Sequence, residues 1–295
     1  FILSLHDALP ISYETKTLTA QTYAIDPVLD YGLIPLEHLT IGYMIYTDFV
    51  FRGNASLAQL NHVFQTLKAA NIDEFILDLR YNQGGYIFAV KQLCSLLAPE
   101  EVVENEELLI HKRWNKAYQE RYANDPDRLE EHFDKSVPLD SRLNLKRLWV
   151  ITSHVTASAS EMLISALSPY MKVNVVGDLT MGKNMGGIIY TPNDKDLQNW
   201  NIMLISTEYS NSREESVKGG IPPMFPILEQ FHHQHQLGDQ EEPLLAATLQ
   251  LITQDTIATP VMNRRSSRSL GTDAPRRIIP EFVQAKSRLL LGIEN

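Results

Sequence analysis

The chain has 295 residues, of which 44% are hydrophobic and 21% are charged, and its formal net charge is −10. This composition is that of a globular protein with room for one large domain or two smaller ones. The last 39 residues hold seven Lys and Arg against three acids, so the rest of the chain carries a charge of −14. An acidic body argues against nucleic acid as the main partner, and no apolar run reaches the ~18 residues of a membrane span.

The two ends of the chain differ from its middle. Leu5–Ser12 resembles the in-frame translation of a sequencing adapter, so we set residues 1–12 aside and expect the natural chain to begin upstream. Residues 13–38 predict strand and loop, and we expect them to be the end of a lost N-terminal region or a linker. Residues 39–255 are predicted to form the main domain, followed by a basic, mobile tail over residues 256–295.

Strand and helix patterns alternate along the main domain. The predicted strands are Leu39–Tyr46, Phe75–Leu79, Arg147–Thr152, Val173–Val176, Ile188–Tyr190 and Ile202–Ser206. The predicted helices begin at Asn54 or Ser56, after Gly85, after Ser158 and at Pro243. This alternation predicts an α/β fold with a layered core, in which functional residues gather where strands end and helices begin.

Residues 99–140 have a different character. Five glutamates are followed by a charged stretch with scattered aromatic residues, Trp114–Phe133, which we predict to be helical. Runs of charge are usually solvated surfaces. The functional alternative is an insertion that lies over the mouth of an active site.

Thr156–Glu161 lies between a predicted strand and an amphipathic helix, and it allows two interpretations. Ser158-x-x-Glu161 has the form of a capping box, in which both side chains bond to N–H groups at a helix start. Alternatively, Ser158 is a nucleophile placed beside free N–H groups that suit a developing oxyanion. The local pattern alone favours the cap.

A nucleophilic serine needs a base. His154 is only four residues from Ser158, too close in sequence for an obvious triad geometry. Lysine can replace histidine if its pKa falls from ~10.4 to about 7–8 through burial or neighbouring positive charge. Lys183 is the candidate, because it lies in a Gly-rich turn with apolar residues nearby.

Two patterns could indicate metal or redox chemistry. His232, His233 and His235 could bind a metal, but on a polar loop they are more simply solvated, and no metal site is predicted. Cys94, the only cysteine, falls in a helical apolar stripe and is predicted to be buried and inert. No cofactor is predicted.

Gly177–Asn184 resembles a phosphate-binding loop up to its last position. There, Asn184 replaces the Ser or Thr hydroxyl that would hold Mg²⁺. Two glycines and β-branched residues follow in place of a helix. The segment is therefore not predicted to bind a nucleotide.

Three short sequence segments, here called blocks, follow one another along the chain. The interval from Ser158 in the second block to Lys183 in the third is 25 residues. The blocks are Ile76–Gly85 (ILDLRYNQGG), Thr156–Glu161 (TASASE) and Gly177–Lys183 (GDLTMGK). Together they resemble the tail-specific, or C-terminal processing, serine peptidase family, in its Ser–Lys bacterial envelope branch. The similarity covers roughly Leu39 to Ile252.

This resemblance implies a spiral core of αββ units like that of ClpP and the crotonases, with a helical insertion. It implies that Ser158 forms an acyl-enzyme and that Lys183 is the general base. The N–H of Ala159, with that of Gly84 or Gly85, would form the oxyanion hole. The implied substrate is a protein or peptide, with no metal or cofactor, and the implied location is the periplasm or cell envelope. A PDZ-like domain and a membrane anchor would lie upstream, and the oligomeric state stays open.

The chain departs from the family pattern at two places. Many members have a glutamine where this chain has Gly187, so the residue that orients the lysine is unassigned. Gly219–Pro223 follows the expected Gly-x-x-Pro block only loosely. Two other functions stay open: a non-catalytic binding module on the same fold, and a crotonase-like acyl-CoA enzyme that uses Gly84 and Gly85 and gives Lys183 no role.

Overall fold

A computed structural model describes most of the predicted main domain. The described residues are 26–36, 38–50, 54–197, 199–229 and 235–254. The predictions for residues 1–25, for the basic tail and for His232 and His233 lie outside these ranges.

The described ranges contain ten strands and seven α-helices. The strands are β1 Val28–Leu36, β2 Leu39–Tyr46, β3 Glu74–Asp78, β4 Leu108–Trp114, β5 Glu130–His132, β6 Arg147–Thr152, β7 Lys172–Gly177, β8 Met185–Tyr190, β9 Ile202–Asn211 and β10 Phe225–Pro226. The helices are α1 Asn54–Ala69, α2 Ile87–Leu97, α3 Glu100–Glu104, α4 Lys116–Arg121, α5 Pro126–Leu129, α6 Ala159–Leu167 and α7 Pro243–Gln254. No helix in these ranges has both the length and the apolar character needed to cross a bilayer.

The larger sheet has the order β1-β2-β3-β6-β7-β10, and all its pairings are parallel except that of β1 with β2. Helices α1, α2 and α6 pack on one face and α7 on the other. In β3, Phe75 and Leu77 face the three-helix layer while Ile76 faces α7. Burial on both faces explains why β2, β3 and β6 are continuous apolar runs in the sequence. The predicted α/β class is confirmed.

The smaller sheet is antiparallel, in the order β5-β4-β9-β8, and it incorporates part of the insertion. The expected helical insertion is confirmed only in part: α3, α4 and α5 are short, while β4 and β5 are strands. Leu109 and Ile110 are fully buried in β4, and this strand pairs along β9. Pairing with β9 satisfies the backbone of this segment, whereas a charged stretch without a long apolar stripe gives a helix little tertiary support.

Asn174, in the centre of β7, is fully buried, and neither its amide nitrogen nor its amide oxygen has a hydrogen-bond partner. It lies in register with Trp149 of β6. A buried polar group without a partner costs about 1–3 kcal/mol. Asn174→Val, which suits a strand, is therefore expected to raise the free energy of unfolding by about 1–3 kcal/mol, measured by urea denaturation. An unchanged or lower value would contradict this account of the amide.

Candidate active site

The loops that follow β3 and β6 lie side by side, because parallel strands end at the same edge of the sheet. The Thr156 hydroxyl donates to the carbonyl of Leu79 at 2.9 Å, and the Ser153 hydroxyl donates to the carbonyl of Arg80. The loop before α6 is thus tied to the end of β3. The two turns lie side by side at this end of the sheet, as predicted.

Asn82 joins the glycine pair to the turn before α6. Its side-chain nitrogen donates to the carbonyl of Tyr46 at 2.8 Å, while its own carbonyl accepts from Ala157 N at 3.1 Å and from Ser160 Oγ at 3.0 Å. Its Oδ1 accepts from the N–H of Gly84 at 2.8 Å. A fully buried side chain therefore fixes the glycine turn against the start of α6. Sequence reasoning assigned no role to Asn82, although it lies inside the first sequence block, Ile76–Gly85.

Ser158 directly precedes α6, and its backbone has a φ of 57° and a ψ of −114°. A positive φ is uncommon for a residue with a side chain and costs on the order of 1–3 kcal/mol. The side chain is half-buried. The hydrogen bonds of the two loops hold the serine in this strained turn, as expected for a residue with a positional role.

Gly84 touches the serine turn directly. Its φ is 104°, and a Cβ added to it would lie 2.7 Å from Ser158 Cβ and 2.8 Å from Ala159 N. Its N–H is already bonded to Asn82. Within the described residues, the N–H groups of Gly85 and Ala159 donate to no other group, so of the two glycines predicted as oxyanion donors Gly85 has the available N–H.

Gly84→Ala is expected to lower kcat by about 10²–10³-fold, because the added methyl group collides with Ser158 Cβ and Ala159 N and pushes the serine turn away from the glycine pair. The measurement is peptide hydrolysis by protein shown to be folded by circular dichroism. Gly32→Ala in β1 is the matched control, since a Cβ there meets nothing within 4 Å. Wild-type kcat for Gly84→Ala would contradict this placement of the oxyanion donors.

Glu161 connects the serine turn to the lysine turn. Its carboxylate is fully buried, and Oε2 accepts from both Ser158 N and Lys183 N, each at 2.8 Å. Oε1 accepts from Thr180 Oγ1 and Gly182 N, each at 2.5 Å. A single oxygen therefore holds the backbones of the two predicted catalytic residues.

The capping-box interpretation is consistent with this arrangement but covers only part of it. The bond from Ser158 N to Glu161 is the carboxylate half of the box. The same carboxylate also receives three donors from the turn that follows β7. Thr180, Gly182 and Lys183 all belong to the third sequence block, but their spacing alone did not indicate a bond to Glu161.

The Lys183 side chain is exposed, as are its neighbours Met181 and Met185. The apolar residues next to Lys183 in the sequence therefore do not bury its amine in this structure. The turn itself is well held: Thr180 Oγ1 accepts from Ile221 N at 2.7 Å, and Thr180 N donates to the Ile221 carbonyl at 3.3 Å. The backbone of the lysine is thus positioned, whereas its side chain is exposed to solvent.

Arg80 anchors the base of the glycine turn. It is buried and pairs with Asp78 of β3 and with Glu242 beside α7, each at 2.8 Å. Burial opposes the charge on Arg80, yet the two carboxylates raise its pKa further above its usual range. Burial likewise tends to raise the pKa of Glu242, but the hydrogen bond and charge of Arg80 and two backbone N–H groups hold it below its usual value. Arg80 and Glu242 are therefore charged at neutral pH, and their ion pair fixes the turn to α7.

Residues 40–226 match the sequence model of peptidase family S41. The chain belongs to peptidase family S41. The predicted family and its fold class are confirmed, since a crystal structure from Bacteroides fragilis that is described as an S41 protease superposes with a TM-score of 0.70 at 26% identity. That superposition covers 79% of this chain and 59% of the other.

The chain is also similar to three proteins named as C-terminal processing proteases. The carboxyl-terminal-processing protease of Synechocystis sp. is 26% identical over 184 residues, which are 62% of this chain and 37% of the relative. That of Picosynechococcus sp. is 25% identical over 242 residues, or 82% and 52% of the two chains. The photosystem II D1 C-terminal processing protease shares the fold at a TM-score of 0.50 and 19% identity, over 70% of this chain and 50% of its own. The chain spans about half or less of the length of the curated relatives it matches.

The glutamine that the family resemblance leads us to expect is replaced by Gly187, where a side chain would be sterically hindered. β8 has a bulge between Gly186 and Gly187, and a Cβ on Gly187 would collide with the carbonyl oxygen of Leu204 on β9. A glutamine cannot occupy this position without moving the strand. The loosely matching block at Gly219–Gly220 nevertheless borders the site, because a Cβ on Gly182 would lie 2.5 Å from Gly220 N.

The remaining candidates from the sequence lie away from this arrangement or add no chemistry to it. His154 is half-buried in the turn after β6. His235 lies near Asp239 and Glu241 on the surface, and an exposed cluster of this kind commonly holds no ion. Cys94 is buried in α2, and burial raises the pKa of its thiol well above its usual range. The prediction of a buried thiol is confirmed.

Proposed function

We propose that this chain is the catalytic part of a serine endopeptidase that uses Ser158 as nucleophile and Lys183 as general base. The observation that carries the proposal is the bond of one Glu161 oxygen to both backbones at 2.8 Å. Membership in S41 and the names of the relatives support it. Positioning two groups for reaction replaces a costly encounter with a preformed geometry.

The reaction follows from these roles. Ser158 Oγ attacks the peptide carbonyl carbon while Lys183 Nζ takes its proton, and the carbonyl oxygen becomes an oxyanion. The N–H groups of Gly85 and Ala159 stabilise that charge, each contributing about 2.7–4 kcal/mol. The leaving amine takes the proton from Lys183 Nζ and departs. Lys183 Nζ then deprotonates a water molecule, which hydrolyses the acyl-enzyme.

Lys183 must be neutral to act as the base, and we propose that the bound substrate supplies the missing burial. A peptide in the crevice would cover the lysine together with the exposed side chains of Met181 and Met185. Desolvation disfavours the charged amine and lowers its pKa. The base would therefore be activated mainly in the enzyme–substrate complex.

We also propose protein substrates in the cell envelope, with a PDZ-like domain and a membrane anchor in the part of the protein upstream of this segment. The names of the relatives support protein substrates, whereas the location, the PDZ-like domain and the anchor rest on the family resemblance alone. Fractionation of cells that express the tagged complete gene would test the location. Recovery in the cytosol alone would contradict it.

The proposed activity is tested with a fluorophosphonate probe and an unstructured protein such as casein. We expect the complete gene product to cleave casein and the probe to modify Ser158, as located by mass spectrometry. The main alternative is a non-catalytic binding module, which the exposed Lys183 and the absence of glutamine at Gly187 favour. If casein is not cleaved and the probe does not label Ser158, the binding module is supported.

A further inference from the structure

A cleft of about 530 Å³ lies between the insertion, the smaller sheet and the start of α2. We name it the insertion cleft, lined among others by Ile87, Lys112, Trp114, Asp127, Arg128 and Tyr209. Its volume falls within the ~300–1,000 Å³ typical of ligand sites. None of these residues belongs to the proposed catalytic set.

The insertion cleft adjoins both catalytic turns. Ile87 is two residues beyond Gly85, one of the proposed oxyanion donors. Tyr209 N donates to the carbonyl of Asn184 at 2.8 Å, and its ring packs on Gly186, where a Cβ would lie 2.5 Å from the ring. The lining of the cleft is therefore connected to both turns, as a subsite for a peptide bound at Ser158 requires.

The cations that line the cleft already have partners. Lys112 Nζ lies 2.7 Å from both the Glu131 carboxylate and the carbonyl of Asp127. The Arg128 guanidinium lies 5.5 Å from the centre of the Tyr122 ring and 4.0 Å from Asp125. The cleft thus offers little positive charge to an incoming acidic group.

A carboxylate and two aromatic rings remain for a ligand. The Asp127 side chain is exposed, and within the described ranges no cation or hydrogen-bond donor pairs with its carboxylate. Trp114 and Tyr209 supply aromatic rings to the same lining. A carboxylate beside aromatic rings suits a cationic side chain, which gains both an ion pair and a cation–π contact.

We propose that the insertion cleft is a substrate subsite that binds a lysine or arginine side chain of the peptide. The inference rests on the proposed peptidase function, because it assigns the cleft to the substrate of the same site. The acidic body of the chain acts in the same direction, since it raises the local concentration of basic peptides. The insertion would then select substrates as well as shape the crevice.

The test uses two sets of short alanine-rich peptides, one with a single lysine moved along the sequence and one with norleucine at the same place. Norleucine has a similar shape without the charge. We expect kcat/KM of the wild type to be about threefold to tenfold higher for the best lysine peptide, mainly through KM. Fluorescence anisotropy of the same peptides, labelled and titrated with the Ser158→Ala variant, measures the binding preference without catalysis.

Asp127→Asn is expected to remove most of this preference in both assays and to leave the norleucine peptides unaffected. Glu120→Gln is the matched control, because it removes the same charge from an exposed position of the same insertion that does not line the cleft. Equal binding of lysine and norleucine peptides, or equal effects of the two variants, would overturn the subsite. Cleavage without a preference would leave the peptidase function standing, whereas a binding preference without cleavage would support the subsite and contradict the peptidase.

Discussion

Ser158→Ala and Lys183→Ala are each expected to lower kcat for peptide hydrolysis by about 10⁴–10⁶-fold. The first removes the proposed nucleophilic oxygen, and the second removes the amine proposed to take its proton. Because nucleophile and base act as a unit, the double variant should lose little more than either single variant. The measurement is single-turnover hydrolysis of a fluorogenic peptide with the three variants and the wild type.

The matched control for the lysine is Lys172→Ala. Lys172 is exposed at the beginning of β7, at the opposite edge of the sheet from Ser158, and its loss should change kcat less than twofold. Lys183→Ala activity within tenfold of the wild type would remove Lys183 as the base. In that case His154, half-buried in the turn before Ser158, would become the next residue to replace.

Glu161→Gln is expected to lower kcat by about 10²–10³-fold and the free energy of unfolding by about 2–4 kcal/mol. The carboxylate accepts hydrogen bonds from four donors. An amide nitrogen in place of either oxygen would face two of these donors, and it cannot accept a hydrogen bond from them. The serine and lysine turns should then separate. The measurements are peptide hydrolysis, urea denaturation and the rate of fluorophosphonate labelling.

A loss of stability alone would not establish that Glu161 positions the site, so Glu74→Gln provides the comparison. Glu74 is also a buried carboxylate, but it pairs with Arg147 at the far end of β3. Both variants should be less stable, whereas only Glu161→Gln should slow labelling of Ser158 when both proteins are folded. Labelling of Glu161→Gln at the wild-type rate would contradict a positioning role.

Local sequence patterns predicted most of the larger sheet. β2 and β6 have the predicted bounds, and β3 begins one residue earlier than expected. These strands are buried on both faces, so the residues between their ends are almost all apolar, and the pattern is unambiguous. β4 was missed because its conformation depends on pairing with β9, which lies nearly one hundred residues further along the chain.

The sequence by itself determined the fold class, the family, and the turns that hold Ser158, Lys183 and the glycine pair, because each depends on residue types at short spacing. Only the tertiary structure decided how these turns are joined. It placed Glu161 between Ser158 and Lys183, used the Gly84 N–H for Asn82 and left that of Gly85 available, and exposed the Lys183 side chain. Hydrogen bonds between distant loops and the burial of a side chain depend on how the strands pack, and the spacing of residues carries no record of either.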